Sequence, residues 1–252
     1  MRDIELAIQE HKQKVLELYP EHQILGIFLY GSQNYNIATE NSDVDTKAII
    51  VPNLYNLAIK PVKTHTIELE NGEHCEVMDI MHLVANFRKQ NINFVEILFT
   101  DYCWVNPLYK WHWEFLFKNM REDIAIYNPA YCLKSICGQA IHTLKQDKTD
   151  AKKYANGLRL RNFLIKYFDE KVLSYKECIY VNPKFANYLI HLKTDKPLID
   201  VKQTNELIEW FENVKELIIK NDNEKREELD DVLNKGIITL IKVCEGYSWS
   251  KI

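Results

Sequence analysis

The chain has 252 residues, of which 46% are hydrophobic, 27% are charged and 12% are aromatic, with seven glycines and seven prolines. This composition excludes a disordered chain and is typical of a folded, rather helical protein with a substantial core. The formal net charge of -4 excludes binding to nucleic acid through overall charge, which leaves only a local basic face for such a partner.

Cysteine usage and the apolar runs bear on the compartment. The six cysteines are scattered without a CxxC pair, which indicates neither a zinc module nor a disulfide framework. The opening segment MRDIELAIQEHKQKVLELY carries charges throughout and predicts an amphipathic helix over roughly Ile4 to Leu18 instead of a secretory signal. No run approaches the roughly 18 apolar residues that a membrane span needs. We therefore expect a cytoplasmic protein with no membrane partner.

The first hundred residues alternate helical and strand patterns. The apolar run QILGIFLYG predicts a central strand that ends at Gly31 and Ser32, and VDTKAIIVP predicts a second strand that ends at Pro52. The segment THTIELENGEHCEVMDI predicts two short strands joined by a turn at Asn71 and Gly72. This part of the chain is therefore expected to form a short mixed sheet with helices.

From about residue 80 onward the apolar residues recur with the period of a helix. The pattern predicts an α+β protein in which residues 1–120 carry the sheet and residues 121–252 form a C-terminal helical domain. No Pro-, Gly- or Ser-rich linker separates the two parts, so we expect them to pack tightly together.

Two acids open the second predicted strand. Successive side chains of a strand point to opposite faces, so Asp43 and Asp45 should project to one side while Val44 enters the core. Neighbouring carboxylates raise each other's pKa, and a divalent cation removes that cost by supplying the opposite charge. Hard oxygen ligands of this kind suit Mg²⁺ or Mn²⁺, which commonly share their remaining positions with substrate phosphates.

Gly31 and Ser32 end the first strand, and the segment GSQNYNIATE predicts that a helix begins there. Backbone N–H groups at such a turn, with the Ser32 hydroxyl, are suited to bind a phosphate oxygen, and glycine permits close approach. Gln33 and Asn34 fit polar groups at a helix start better than specific ligands. Together with the acid pair on the neighbouring strand, the turn predicts a site for a triphosphate and metal ions.

The segment YGSQNYNIATENSDVDTKAII resembles the hallmark of the DNA polymerase beta type nucleotidyltransferase superfamily. In that hallmark, an apolar residue and Gly-Ser or Gly-Gly precede an Asp-apolar-Asp/Glu pair by about a dozen residues. Gly31, Ser32, Asp43 and Asp45 match the pattern position by position. Over roughly residues 26–109 the chain is also similar to the bacterial and phage group of predicted nucleotidyltransferases near the RNA-repair-pathway branch.

The resemblance implies a nucleotidyltransferase fold over residues 1–120 and a third carboxylate on a following strand. Glu76 and Asp79 are the candidates. Glu76 lies between Cys75 and Val77 inside the predicted strand and is favoured as catalytic residue and metal ligand. Asp79 directly precedes an apolar-periodic helix and is well explained as its N-cap.

Further residues are candidates for contact with the nucleotide. Lys47 should share a face with Asp45, which fits either a place beside the substrate or an exposed position at a sheet edge. Arg159 and Arg161 lie two apart on a predicted helix and cannot share a face, so at most one reaches the site. Arg159 is favoured for triphosphate contact, against a surface or interdomain position. His74 is expected to be structural.

By resemblance, the activity is metal-dependent transfer of a nucleoside monophosphate from a nucleoside triphosphate to a hydroxyl acceptor, with release of pyrophosphate. Asp43, Asp45 and the third acid would hold two Mg²⁺ or Mn²⁺ ions. The donor is a nucleoside triphosphate such as ATP, whose base the sequence leaves open. The acceptor is an RNA or tRNA 3′ end, a protein or a small molecule. The alternatives are a catalytically silent nucleotide sensor or toxin–antitoxin component, a metal-dependent phosphohydrolase, and a module in which the helical half binds a partner.

Overall fold

The computed structural model describes residues 2–169, 174–218 and 227–249. This part of the chain is an α+β structure with one mixed sheet of five strands and twelve α-helices. The strands are β1 (Ile24–Tyr30), β2 (Asp45–Ile50), β3 (His65–Glu68), β4 (His74–Asp79) and β5 (Cys103–Val105). The helices are α1 (Ile4–Leu16), α2 (Leu54–Ala58), α3 (Ile80–Arg88), α4 (Ile92–Val95), α5 (Lys110–Trp113), α6 (Arg121–Ala125), α7 (Pro129–Gln146), α8 (Ala151–Tyr167), α9 (Tyr175–Ile179), α10 (Pro183–Asp195), α11 (Val201–Ile218) and α12 (Glu227–Trp249).

The sheet has the strand order β3-β4-β2-β1-β5. Strands β2 and β4 run parallel, and each other neighbouring pair is antiparallel. Because β1 and β2 are antiparallel neighbours, the last residues of β1 lie beside the first residues of β2, at one end of the strands; this end is called an edge of the sheet below. Tyr30 is paired with Asp45 at that edge, so the predicted turn and the predicted acid pair are adjacent.

Strand β1 is buried on both faces, as its continuous apolar sequence predicts. Ile27 and Leu29 pack in the cores that also contain residues of α1. Phe28 points into the larger core, where its ring centroid lies 4.4 Å from that of Trp113. Tyr30 lies on the face of Phe28, since side chains alternate along a strand. Asp45, which pairs with Tyr30, therefore lies on the face of the sheet that packs against the later helices.

The segment between β1 and β2 differs from the prediction, because residues 31–44 form successive turns instead of a helix. Gly31 and Asn36 have φ values of 90° and 63°, in the left-handed region that a right-handed helix does not use. Tyr35 and Ile37 are both buried, and residues two apart cannot both face the core from one helix. The turns place both of these side chains in the core.

The hairpin prediction is confirmed: β3 and β4 pair antiparallel across a turn in which Gly72 has a φ of 82°. All described secondary structure after residue 120 is helical. One large core cluster runs from the sheet into these helices and includes Phe28, Phe117, Phe163 and Phe211. The division at residue 120 stays a prediction. Among the described helices, none is both long and apolar enough to cross a membrane.

Candidate active site

The burial of Val44 determines the direction in which the side chains of Asp43 and Asp45 point. Val44 is fully buried in a small cluster with Ala7 and Leu29, which fixes the chain just before β2. The flanking residues turn away from this cluster, so that Asp43 is exposed and Asp45 is half-buried. The burial alternation that the sequence predicts is thus present at the start of β2.

His74 completes a cluster with the acid pair. One ligand atom from each of Asp43, Asp45 and His74 lies within 4.8 Å of the other two. Thr46 pairs with Cys75 in the parallel register of β2 and β4, which brings His74 beside Asp45. His74 Nδ1 lies 3.5 Å from Asp45 Oδ1. The sequence favours a structural His74, whereas the structure places one of its imidazole nitrogens within 4.8 Å of a carboxylate oxygen of each acid.

The carboxylate of Asp45 is in an environment that disfavours its charge. Burial raises the pKa of Asp45, the neighbouring Asp43 raises it further, and His74 offsets part of the rise. Asp45 Oδ1 is a buried atom whose contact with His74 Nδ1, at 3.5 Å, is too long for good hydrogen-bond geometry. A buried carboxylate oxygen that is so weakly paired is under-satisfied, and a cation would relieve it.

Glu76 occupies a different environment from the acid pair. It is paired with Lys47 in the register of β4 and β2, and its Oε2 forms an ion pair with Lys47 Nζ. Lys47 is only 1% exposed, which excludes the exposed edge position. Its Nζ lies 4.0 Å from the ring centroid of Tyr30 and 4.3 Å from that of Phe94. Glu76 thus neutralises a buried lysine, and its role as third ligand stays a prediction.

Asp79, the other candidate for the third acid, caps α3. Its side chain accepts a hydrogen bond from the backbone N–H of His82 at 2.7 Å. This is the N-cap geometry that the sequence predicts for it.

Glu96 occupies one side of the Gly31–Ser32 turn. Its Oε2 accepts a 3.4 Å hydrogen bond from the backbone N–H of Gly31, so this N–H points to Glu96 and is not free for a phosphate. Glu96 is 1% exposed, and burial raises its pKa to about 7, although the Tyr35 hydroxyl and the charges of Arg159 and Lys47 oppose the rise. Ser32 turns the other way and lines a separate pocket.

The pocket at Ser32 is rich in cations. We call it the cationic pocket; it has a volume of about 180 Å³ and lies between the 31–37 turn and helices α8 and α10. Its polar lining consists of Ser32, Tyr35, Lys152, Asn156, Arg159 and Lys193. Three cationic side chains around one small pocket favour a ligand with several negative charges.

Arg159 is the buried member of this group, at 4% exposure. Its Nε and Nη2 donate to Asn156 Oδ1 at 3.2 and 3.0 Å, and its guanidinium lies 4.0 Å from the ring centroid of Tyr35. Nη1 is buried and has no hydrogen-bond partner among the described residues. Arg161 instead packs on Trp210 at 5.0 Å. Only Arg159 of the two reaches the pocket, as the helical period requires.

The sequence reasoning missed Lys152 and Lys193. Lys152, Asn156 and Arg159 recur at helical spacing in AKKYANGLRLR, so the first lysine had a signal in the sequence. Lys193 lies on α10, more than thirty residues further on, and its sequence has no feature that links it to the others. Burial lowers the pKa of Lys193, and Lys152 and Arg159 lower it further.

The cationic pocket and the acid cluster lie side by side. Lys193 Nζ donates a 2.9 Å hydrogen bond to the backbone carbonyl of Ile37, inside the segment that connects Ser32 to Asp43. Asp43 is also near enough to raise the pKa of Lys193. The site therefore has carboxylates that suit metal cations and, next to them, cationic side chains that suit an anionic ligand.

The donor set fits a divalent metal ion. Two carboxylates suit Mg²⁺ or Mn²⁺, and an imidazole is a ligand that later first-row metals accept more readily than Mg²⁺ does. No protein-family model matches this chain, and a search of curated proteins finds no match to it.

Proposed function

We propose that this protein is a metal-dependent nucleotidyltransferase that moves a nucleoside monophosphate from a nucleoside triphosphate to a hydroxyl group. The observation that supports this most strongly is the adjacency of the Asp43–Asp45–His74 cluster and the cationic pocket. A nucleoside triphosphate with divalent cations is a ligand that needs both kinds of group at once. The resemblance of the Gly-Ser and Asp-Val-Asp motifs to those of nucleotidyltransferases also supports the proposal.

Each part of the site has a role in this proposal. Asp43 and Asp45 hold the metal ions, with His74 as a further ligand. Ser32, Arg159 and the two lysines of the cationic pocket bind the β- and γ-phosphates. The orphan Nη1 of Arg159 gains a phosphate oxygen as its acceptor. These contacts fix the triphosphate so that the α-phosphorus is presented beside the acids.

The reaction is a displacement at the α-phosphorus. The acceptor oxygen forms a bond to phosphorus as the bond to the bridging oxygen breaks; pyrophosphate leaves, and the proton of the hydroxyl passes to solvent. Bound divalent cations neutralise the phosphate charge and lower the pKa of the attacking hydroxyl. The chain itself contributes positioning and charge neutralisation, which is the usual share of the protein in phosphate-transfer enzymes. The acceptor we propose is an RNA or tRNA end or a protein hydroxyl.

The test uses triphosphates labelled at the α- or the γ-phosphate, incubated with Mg²⁺ or Mn²⁺ and with total RNA or protein extract. The proposal predicts that α-label enters one acceptor fraction while γ-label appears in pyrophosphate. A phosphohydrolase would instead release the γ-label as free phosphate. A silent nucleotide sensor would bind the triphosphate and leave both labels where they were.

A further inference from the structure

A second pocket lies on the other side of the 31–37 turn. We call it the amide pocket; its volume is about 240 Å³, and it is bounded by the turn, by the residues that precede β5 and by α9. Ser32 and Tyr35 line the cationic pocket, whereas Gln33, Asn34 and Asn36 line the amide pocket. The same short turn therefore separates the two cavities.

Two polar atoms of the amide pocket are left without partners. Glu96 is 1% exposed and lines the pocket, and its Oε1 has no donor in good hydrogen-bond geometry among the described residues, although the Tyr35 hydroxyl is near enough to lower the pKa of this carboxyl. Gln33 Nε2 is also buried and donates to none of them. Burying polar groups in this state costs free energy unless something else pairs with them. Together they leave one acceptor and one donor to be satisfied.

The other amides of the turn are satisfied within the protein. Asn34 donates to the backbone carbonyl of Leu29 at 3.1 Å and accepts from the Thr100 hydroxyl at 2.9 Å. Asn36 donates to the backbone carbonyl of Val181 at 3.2 Å. These hydrogen bonds hold the walls of the pocket in place. Other amides of the turn thus find partners within the protein, whereas the atoms of Gln33 and Glu96 that face the pocket do not.

The pocket also presents aromatic surface. Phe99 is buried in its wall, and Tyr102 and Tyr180 line it with roughly half of each side chain exposed. Lys176 Nζ and Asp101 Oδ2 form an exposed ion pair 2.6 Å long at the same pocket. The volume is smaller than the roughly 300–1,000 Å³ of pockets for drug-sized ligands, which suits a single flat ring system.

We propose that the amide pocket binds a nucleobase. A base pairs through donors and acceptors on its edge and stacks on aromatic side chains, and proteins read extruded or single-stranded bases by these two contacts. Glu96 Oε1 accepts an N–H of the base edge, Gln33 Nε2 donates to a ring nitrogen or carbonyl, and Tyr180 stacks on the ring. Every base has a donor next to an acceptor, so these contacts recognise a base without choosing among the four.

This inference rests on the proposed function for its biological meaning, because the base belongs either to the donor nucleotide or to the end of an RNA acceptor. Calorimetry with Mg²⁺ separates the two sources. One arm compares non-hydrolysable analogues of the four nucleoside triphosphates with inorganic tripolyphosphate. The other compares RNA trinucleotides with an abasic trinucleotide of the same backbone.

In one arm, probes with a base should bind at least about tenfold more tightly than the probe without one. Gln33→Leu should lower the ratio between the affinity of the base-bearing probe and that of the baseless probe by about tenfold, as expected for one lost hydrogen bond to a buried group. Tyr180→Ala should reduce it as well. Gln13→Leu, on the exposed side of α1, is the matched control and should change nothing.

Two results would overturn the inference: no base dependence in either arm, or a base dependence that Gln33→Leu and Tyr180→Ala both leave intact. The proposed function fails separately. Tripolyphosphate that does not bind, or that binds equally well to Arg159→Met, contradicts the phosphate site, whereas the trinucleotide arm still reports on the amide pocket.

Discussion

Lys47 and Glu76 form an ion pair across the parallel strands β2 and β4, on the face of the sheet that carries Asp45 and His74. The lysine side chain is almost wholly buried, whereas the glutamate side chain is about a quarter exposed. The resemblance to nucleotidyltransferases leads us to expect that Glu76 is the third metal ligand, but in the structure its charge is neutralised by Lys47. Substitutions of the two partners distinguish the structural role of Glu76 from a ligand role.

The first prediction concerns stability. Glu76→Gln leaves the buried ammonium of Lys47 without a counter-charge and should lower the free energy of unfolding by about 3 kcal/mol. Lys47→Met removes the buried charge, keeps an apolar chain against Tyr30 and Phe94, and should cost about 1 kcal/mol or less. Urea denaturation of the two variants and of the double variant measures these values.

The double variant is the control for this prediction, because it removes both charges and should recover most of the stability that Glu76→Gln loses. If Glu76→Gln instead keeps the stability of the wild type and only weakens metal binding, Glu76 is a ligand and its pairing with Lys47 is not its main role.

The second prediction assigns the third ligand to His74. His74→Ala should weaken Mn²⁺ binding about 10- to 100-fold, the range found when groups that support a metal site are removed. His65→Ala is the matched control, since His65 is also a strand histidine on the same β-hairpin but lies outside the cluster. Electron paramagnetic resonance titration of free Mn²⁺ gives the affinities. Equal affinities in the two variants would remove His74 from the site.

The third prediction concerns the cationic pocket. Arg159→Met should weaken binding of a nucleoside triphosphate about 10- to 100-fold, because a charge-assisted hydrogen bond contributes roughly 1.5–3 kcal/mol. Arg161→Met lies on the same helix, packs on Trp210 and should bind nearly as tightly as the wild type. Equilibrium dialysis with labelled nucleotide measures both. A larger loss in Arg161→Met would show that the pocket is not the phosphate site.

The fourth prediction follows from the raised pKa of Glu96. Its pKa in the folded protein is about 7, against 4.5 in the unfolded chain, so the folded state binds this proton more tightly. The contribution to stability is therefore fully present below about pH 4.5 and is lost as the pH rises through about 7. Glu96→Gln carries no titrating group and should lack this component.

Unfolding free energies of wild type and Glu96→Gln between pH 4 and 8 test this. The difference between the two should shift in favour of the variant as the pH rises, and should level off above about pH 8. A constant difference across this range would mean that Glu96 titrates with the same pKa in the folded and unfolded states, which would contradict the prediction.

Four of the five strands and the acid pair follow from local patterns in the sequence, whereas β5 lies in the region where the sequence predicts only helices. The apolar run of β1 predicts a central strand, and the alternation around Val44 predicts that Asp43 and Asp45 leave the core together. The Asn71–Gly72 turn fixes the hairpin in the same local way. Such features depend on a few neighbouring residues, so one sequence is enough to find them.

The missed features depend on contacts between distant segments. In the 31–44 segment, Tyr35 and Ile37 are both buried, and Arg159 of the later helix α8 lies over the ring of Tyr35. His74 joins the acids through the register of β2 and β4, and Lys193 arrives on a helix about 150 residues after Asp43. Sequence periodicity reports which side of its own element a residue faces, and it carries no information about which element packs opposite.

The central claim is that the acid cluster and the cationic pocket bind one metal-bound triphosphate between them. Crystals grown with Mn²⁺ and a non-hydrolysable nucleoside triphosphate test it through the anomalous signal of manganese. The account predicts a manganese peak ligated by Asp43 and Asp45, with phosphate density that reaches Ser32 and Arg159. A peak away from these acids, or phosphates bound outside the cationic pocket, would contradict it.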